Sequence, residues 1–263
     1  ETVSFSLLIK CGRIESMKNE FFVVGDVHGE FELLLDILKK WDEERQQLIF
    51  LGDLIDRGEN SKACLELVWQ LVCEKEAICL TGNHERMFLA WLRDPLERYD
   101  HYRRNGGDTT INSLLGRPLD TPVDGLIDAN AVMEQYEQLI NFFVKTCPYH
   151  VETEHYIFVH AGVDLTLPDW RKTSNHDKVW LRTPFHEAEN TTGKMIVFGH
   201  TPVYNLFQTQ LRISQIWTSP DGKIGIDGGA VYGGVLHGIV LDDTGLVKDN
   251  IIGAIYPRKH TSD

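Results

Sequence analysis

Three short polar segments follow three apolar runs in the first third of the sequence, and their residue types are those of a metal centre. They read Gly-Asp-Val-His-Gly at 25–29, Gly-Asp-Leu-Ile-Asp-Arg-Gly at 52–58 and Gly-Asn-His-Glu at 82–85. Two later apolar runs are followed by His-Ala-Gly at 160–162 and Gly-His-Thr-Pro at 199–202. Carboxylate, amide and imidazole groups of this kind bind borderline and hard divalent ions.

The candidate ligands are three oxygen donors and three imidazoles, namely Asp26, His28, Asp53, Asn83, His160 and His200. A single Asp-x-His pair or a lone histidine after a strand is more often structural. Five such segments in order are not expected by chance. One open catalytic zinc needs only three protein ligands, so this larger set fits two metal ions that share a carboxylate. We expect two divalent ions, with manganese as the first to test and iron and zinc as alternatives.

The elements that must position these side chains predict an α/β fold. Apolar runs at 20–25, 47–51 and 77–80 read as strands, and helical periodicity appears at 31–41, 61–73 and 85–92, with Ser61 as an N-cap. This β-α-β-α-β order predicts parallel strands joined by right-handed crossovers. The carboxyl ends of such strands are where α/β sheets bind ligands, so the polar segments should converge.

The second half of the chain is expected to be mostly strand. One helix is predicted at 129–145, followed by strands at 156–159, 195–198, 224–226 and 235–241. Glycine-rich turns between the last strands resemble a β-meander. We expect a single domain over residues 19–256 with a surface insertion around 94–127, whereas residues 1–18 are expected to be a leader outside the fold.

The composition argues against several classes of function. The formal net charge of −13 over 263 residues leaves no basic excess for a nucleic acid duplex or an anionic membrane. No apolar stretch approaches the roughly 18 residues of a membrane span. The five cysteines are odd in number and lack C-x-x-C spacing, which argues against a disulfide framework and favours a reducing, cytoplasmic location.

The series GDVHG, GDLIDRG, GNHE, HAG and GH resembles the phosphoprotein phosphatase family of calcineurin-like metallophosphoesterases. The FGHTPV and VYGG stretches are most similar to its bacterial and phage-type serine/threonine phosphatases, and the resemblance covers about residues 20–245. It implies an αββα sandwich in which two mixed β-sheets are flanked by helices. It also implies that Asp26 and His28 hold one metal, that Asn83, His160 and His200 hold the other, and that Asp53 bridges them.

A phosphate monoester also needs a proton donor for its leaving group. His84 is the candidate general acid, with Asp56 to orient and charge it. The resemblance implies the same pair, and it implies that Arg57, Arg182 and Asn83 contact the phosphate while Tyr232 lines the pocket. Hydrolysis would proceed by direct attack of a water that bridges the two metals.

Three other functions compete with a serine/threonine phosphatase. A symmetrical diadenosine tetraphosphate hydrolase would share the fold and metals, but such enzymes typically lack the aspartate found here as Asp56, and their third segment tends to read GNHD. A non-catalytic metal-binding scaffold would normally have lost a ligand or the acid. A nuclease would need a basic surface. One departure from the family pattern is Gly228, where we expect a threonine, and it puts any hydrogen bond at that position in doubt.

Overall fold

The first strand, β1 (Glu20–Val24), is buried along both faces because its alternate side chains enter two different cores. Phe22 and Val24 pack among the helices on one side, whereas Phe21 and Val23 pack against a second sheet. A strand covered on both faces requires the near-continuous apolar run seen here.

A computed structural model describes residues 18–207 and 214–253, so all but the last residue of the expected leader lie outside the described residues. The other strands are β2 (Gln46–Phe50), β3 (Ile78–Cys79), β4 (His150–Glu152), β5 (Tyr156–Val159), β6 (Met195–Phe198), β7 (Trp217–Thr218), β8 (Lys223–Gly225), β9 (Val235–Asp242) and β10 (Gly245–Gly253). The helices are α1 (Phe31–Leu38), α2 (Ser61–Lys75), α3 (Asn83–Arg93), α4 (Pro95–Arg104), α5 (Gly107–Leu114), α6 (Ile127–Gln135), α7 (Glu137–Thr146), α8 (Asp177–Trp180) and α9 (Thr183–Glu187).

The strands form two five-stranded sheets, which confirms the predicted pair of mixed sheets flanked by helices. The first has the order β10-β9-β1-β2-β3, with β1, β2 and β3 parallel and β9 antiparallel to β1. The second has the order β4-β5-β6-β8-β7, with β5, β6 and β8 parallel. Both sheets therefore present several parallel carboxyl ends, which is what a shared site requires.

The predicted β-meander at the end of the chain is wrong. Strand β8 pairs with β6 in the second sheet, whereas β9 pairs with β1 in the first. The glycine-rich segment between β8 and β9 carries the chain from one sheet to the other instead of turning it back on itself. In this region β7 pairs antiparallel with β8 in the second sheet, and β9 pairs antiparallel with β10 in the first, so the strands form two separate hairpins.

Two predicted helix features also differ from the structure. The single helix expected at 129–145 is divided into α6 and α7 at Tyr136, which has non-helical torsions of φ −124 and ψ 29 and donates its hydroxyl to the Leu114 carbonyl. The N-cap of α2 is Asn60. Ser61 is the first residue of the helix itself, and its hydroxyl accepts a hydrogen bond from the Asp56 N–H.

The segment around 94–127 contains two helices, α4 and α5, and contributes to the first core through the fully buried Tyr102. The described cysteines are free thiols, of which Cys73 is exposed and Cys64, Cys79 and Cys147 are buried. Within residues 18–207 and 214–253, no helix combines the length and apolarity that crossing a bilayer requires.

Candidate metal centre

All six predicted ligands lie beyond the carboxyl ends of parallel strands, and together they form one buried cluster between the two sheets. On the side of the first sheet, Asp26 and His28 follow β1, Asp53 follows β2, and Asn83 begins α3 after β3. On the side of the second sheet, His160 follows β5 and His200 comes shortly after β6. Each of the six side chains belongs to a residue that is at most 5% exposed.

Asp53 lies at the centre of this cluster. Its Oδ2 atom is 3.6 Å from Nε2 of His28 and 3.4 Å from Nε2 of His160. Two groups of donor atoms share this carboxylate, one with His28 and His84 and the other with His160 and His200. Within each group the donor atoms lie within 4.8 Å of one another, which is close enough for one ion to contact all three. One carboxylate common to two donor sets is the arrangement that a pair of metal ions needs.

Hydrogen bonds donated to backbone carbonyls orient two of the imidazoles. Nδ1 of His28 lies 2.7 Å from the Ile55 carbonyl, and Nδ1 of His160 lies 2.9 Å from the Leu51 carbonyl. Because a carbonyl only accepts, Nδ1 carries the hydrogen in each ring, and Nε2 is the atom directed at Asp53. The Nε2 atom of His200 is buried and has no hydrogen-bond partner among the described residues.

The buried titratable groups of the cluster shift one another's pKa values. Burial would raise the pKa of Asp53, but His160 and His84 hold it well below its usual value. Burial alone would lower the pKa of His160, but the nearby Asp53 raises it to about 9. Burial and the neighbouring Asp227 raise the pKa of Asp26 well above its usual value. Crowded carboxylates and oriented imidazoles therefore create a site whose donor chemistry suits divalent ions.

Asp26 and Asn83 make different contacts from the other ligands. The Asp26 carboxylate accepts the backbone N–H of His200, with a nitrogen to Oδ2 distance of 3.0 Å, and so joins the loops of the two sheets. The Oδ1 atom of Asn83 lies 3.0 Å from Nε2 of His160. Asn83 thus contacts a histidine that was predicted to share its metal, whereas Asp26, predicted to share a metal with His28, contacts the backbone of His200.

Several of these residues adopt a backbone conformation that side chains other than glycine seldom adopt. Positive φ angles occur at His28 (48), Asp53 (51), Asp56 (72), Arg57 (70) and His200 (63). Each such left-handed residue costs about 1 kcal/mol or more and persists only where its surroundings enforce it. The site is therefore held by contacts that outweigh this strain.

Glu85 supplies such contacts, although the sequence interpretation gave it no role. Its fully buried carboxylate accepts the backbone N–H groups of Gly82, Asp53 and Leu54 at 2.9, 3.0 and 2.8 Å. Gly82 also allows a close approach, since a Cβ at this position would lie 2.1 Å from Oδ1 of Asp53. Glu85 at the third position of α3 is a capping-box signature, so the sequence held a signal for it.

Replacing Glu85 by glutamine is expected to lower the free energy of unfolding by about 1–3 kcal/mol, the cost of a buried unsatisfied donor. The amide nitrogen would face a backbone N–H, and its single oxygen cannot serve all three donors. Urea denaturation of the chelator-treated protein, followed by tryptophan fluorescence, measures the change. Glu66→Gln is the matched control, because Glu66 is exposed on α2 and its ion pair with Lys62 is long, at 3.9 Å. Equal effects of the two substitutions would contradict the assignment.

The proposed acid pair lies next to the ligand cluster. Nδ1 of His84 is 2.7 Å from Oδ2 of Asp56, and both side chains are buried. On its other side, Nε2 of His84 lies 4.0 Å from Oδ2 of Asp53. Burial lowers the pKa of His84 to about 3 and raises the pKa of Asp56 to about 7. One imidazole nitrogen is thus bound to a carboxylate while the other faces the cluster.

The residues predicted to contact phosphate lie around the same cluster. Nη1 of Arg57 is 2.7 Å from Nε2 of His28, and its guanidinium lies 5.4 Å from the ring centre of Tyr232. Nη1 of Arg182 lies 3.3 Å from Oγ1 of Thr201, the residue after His200. The two arginines therefore approach the cluster from different sides, which suits an anion held between them.

Asp227 is a further buried carboxylate at this site that the sequence interpretation did not assign. It follows β8, as the six predicted ligands follow their strands, and is 4% exposed. Burial raises its pKa to about 6. At the next position, a Cβ on Gly228 would lie 2.2 Å from the Val235 carbonyl oxygen, so the threonine that we expected cannot occupy this backbone without a shift.

The chain matches one protein family and is similar to several known proteins. The profile of the family described as "Calcineurin-like phosphoesterase" matches residues 20–226. The bis(5′-nucleosyl)-tetraphosphatase PrpE (asymmetrical) of Bacillus cereus strain Q1 is 26% identical over 251 residues, covering 84% of this chain and 89% of the relative. Serine/threonine-protein phosphatase 1 of Salmonella typhimurium strain LT2 is 26% identical over 230 residues, covering 85% and 93%.

A solved structure described as a putative diadenosine tetraphosphatase has a similar fold. It superposes with a TM-score of 0.63 at 16% identity and covers 90% of this chain and 94% of that chain. At this identity the likeness concerns the fold alone. The family profile, in contrast, spans more than half of the chain and includes every strand that positions the six predicted ligands. The chain belongs to the calcineurin-like phosphoesterase family, whose members are hydrolases that use two divalent metal ions.

Proposed function

We propose that this protein is a phosphomonoesterase that removes phosphate from serine and threonine side chains of proteins. The observation that carries the proposal is the buried His84–Asp56 pair, 2.7 Å apart, beside the carboxylate shared by two donor sets. An alkoxide leaving group is strongly basic and needs a proton. A general acid held in place by the protein therefore accelerates hydrolysis of such esters most. The similarity to a serine/threonine-protein phosphatase supports the same substrate class.

We assign the metal ligands as two sets that share Asp53. Asp26 and His28 would hold one ion, and Asn83, His160 and His200 would hold the other. When bound, the two ions supply an activated water and neutralise charge on the phosphoryl oxygens. The mixed oxygen and nitrogen donors suit manganese, iron or zinc, and manganese is the ion to test first.

The proposed reaction breaks the phosphorus–oxygen bond of the ester while the oxygen of a water molecule bonds to phosphorus. The water gives up one proton, which restores the acid after the alcohol has left. His84 donates the proton on Nε2 to the leaving oxygen, which departs as the alcohol. Asp56 holds the ring in place through Nδ1. Because burial raises the pKa of Asp56 to about 7, its carboxyl can supply the proton that Nδ1 takes up as Nε2 gives one away. Burial of both side chains excludes bulk water from this proton transfer.

Arg57 and Arg182 are proposed to bind the phosphoryl oxygens, because a guanidinium can donate two parallel hydrogen bonds to phosphate. Asn83 would contact the same group through its amide. Tyr232 would line the pocket, where its ring already lies beside the Arg57 guanidinium.

A second candidate is hydrolysis of dinucleoside polyphosphates, which the similarity to PrpE favours. The leaving group in that reaction is a nucleotide phosphate, a weak base that departs with little protonation. A buried carboxylate–imidazole acid would then contribute less to the rate. The His84–Asp56 pair therefore favours the monoester over the dinucleotide.

A paired assay distinguishes the two candidates. In manganese buffer we expect kcat/KM for a phosphoserine peptide to exceed that for diadenosine tetraphosphate by at least about tenfold, or about 1.4 kcal/mol in transition-state binding. Activity on both substrates should disappear in a matched sample treated with chelator. Preference for the dinucleotide would leave the proposed metal centre unchanged, but would assign dinucleoside polyphosphates as the substrate class.

We propose the cytoplasm as the compartment in which the enzyme acts. The support is the state of the described cysteines, all of which are free thiols. Free thiols persist where glutathione and thioredoxin keep them reduced.

A further inference from the structure

We infer that Tyr102, assisted by Thr110, is a positioning residue that acts on the general acid His84 through Asp56. The inference rests on the acid role proposed for His84 and adds residues from α4 and α5, the segment expected only to be a surface insertion. Tyr102 and Thr110 are both fully buried. Neither touches the ligand cluster in any hydrogen bond among the described residues, so their effect must pass through Asp56.

The two carboxylate oxygens of Asp56 have separate partners. Oδ2 lies 2.7 Å from Nδ1 of His84. Oδ1 accepts the Tyr102 hydroxyl at 2.7 Å and the Thr110 hydroxyl at 2.7 Å. Because two donors fix Oδ1, the carboxylate cannot rotate about its χ2 angle without breaking both hydrogen bonds. Oδ2 is therefore held toward the imidazole.

The backbone of Asp56 is held by the same segment. Its N–H donates to Oγ1 of Thr110 at 2.8 Å and to Oγ of Ser61 at 3.2 Å. These contacts enforce the positive φ of 72 at Asp56, a conformation that is strained for an aspartate. Thr110 thus fixes the main chain while Tyr102 and Thr110 fix the side chain.

The Tyr102 ring is itself locked in place. It stacks on Trp91 at 5.5 Å between ring centres and packs against Phe88 at 6.1 Å. Gly107 admits the ring, since a Cβ at that position would lie 2.6 Å from Cδ1 and Cε1 of Tyr102. Burial and Asp56 also raise the pKa of Tyr102 well above its usual value, so its hydroxyl remains a donor.

Loss of the Tyr102 hydroxyl is expected to slow hydrolysis of some substrates more than others. Without the Tyr102 hydroxyl, Asp56 loses one of the two donors on Oδ1 and holds His84 less firmly for proton transfer. Poor leaving groups depend on that proton, whereas p-nitrophenolate leaves readily without it. A residue that only stabilised the fold or the metal ligands would affect both kinds of substrate equally.

The test compares Tyr102→Phe with Tyr99→Phe in the manganese-loaded enzyme. Tyr99 lies on the same helix, but its hydroxyl bonds Asp108 and the Val123 carbonyl at 3.1 and 3.2 Å, away from Asp56. For Tyr102→Phe we expect kcat on a phosphoserine peptide to fall roughly 10-fold or more, the effect of losing an outer-shell partner, with about twofold or smaller loss on p-nitrophenyl phosphate. Tyr99→Phe should change neither value by more than about twofold, the scale of a peripheral substitution.

His84→Asn, measured in the same assay, separates the positioning role of Tyr102 from the acid role of His84. If His84→Asn shows the leaving-group-dependent loss and Tyr102→Phe behaves as Tyr99→Phe does, the positioning role is overturned and the acid role stands. If His84→Asn lowers kcat equally on both substrates, the acid role and the positioning role are both overturned. Should Tyr102→Phe fail to fold, Thr110→Val is the second variant, and an equal loss on both substrates there overturns the inference.

Discussion

Replacing Asp53 by asparagine is expected to lower kcat/KM by roughly 10³-fold or more, because a shared metal ligand underlies several kcal/mol of transition-state stabilisation. Asp53 is the only one of the predicted ligands that belongs to both donor groups. Its replacement removes the negative charge that lies 3.4 Å from His160 and 3.6 Å from His28. Both ions should therefore bind more weakly, and the loss should exceed that from any ligand used by one ion.

Two measurements check this result. Metal content after dialysis should fall below that of the native enzyme, and kcat/KM should fall on the phosphoserine peptide and on p-nitrophenyl phosphate alike. Circular dichroism establishes that the variant is folded. Asp36→Asn is the control, since Asp36 is a partly exposed side chain on α1 that pairs with Lys39. If Asp53→Asn retained both metals and its activity, Asp53 would not be the bridging ligand.

The second large effect is expected for His84→Asn. Loss of the general acid should lower kcat on a phosphoserine peptide by about 10²–10⁴-fold, the usual contribution of such a group. The loss on an aryl phosphate should be much smaller, since its leaving group needs little protonation. Asparagine keeps a polar side chain at this buried position without supplying an acid of suitable pKa.

A series of phosphate esters with increasingly basic leaving groups measures this effect as the dependence of kcat on leaving-group pKa. That dependence should be steeper for His84→Asn than for the native enzyme. His155→Asn provides the control, because His155 is exposed in the turn before β5. A parallel shift of the whole series would indicate that His84 serves as a metal ligand, a role that its place in the donor group with His28 and Asp53 also permits.

The ligand cluster could be predicted because each donor follows a strand that the sequence makes recognisable. The strands β5 and β6 have the predicted bounds, and β1 and β2 lie within one residue of them. Parallel order then brings their carboxyl ends together, so linear spacing becomes spatial proximity. Asp227 follows β8 by the same rule and could have been found in this way.

The support of Asp56 by Tyr102 and Thr110 could not be predicted in the same manner. These side chains approach from α4 and α5, whose docking depends on aromatic packing among Phe88, Trp91 and Tyr102. No sequence periodicity specifies which buried hydroxyl will reach a carboxylate 46 positions away along the chain. The division of the helix at Tyr136 has a similar origin, because its tertiary hydrogen bond to Leu114 outweighs local helical propensity.

The donors of the metal centre are divided between the two sheets, and this division affects how the protein acquires its ions. The contact between His160 and Leu51 spans 109 positions, and that between His200 and Asp26 spans 174. Closing such long loops is entropically costly, so these contacts are expected to form late in folding. Ions bound there would stabilise the native state more than the folding transition state, and would therefore slow unfolding without accelerating folding. A nascent chain that has emerged only as far as α3 would carry Asp26, His28, Asp53 and Asn83 without the second-sheet imidazoles, so loading of the complete site must wait for the second sheet.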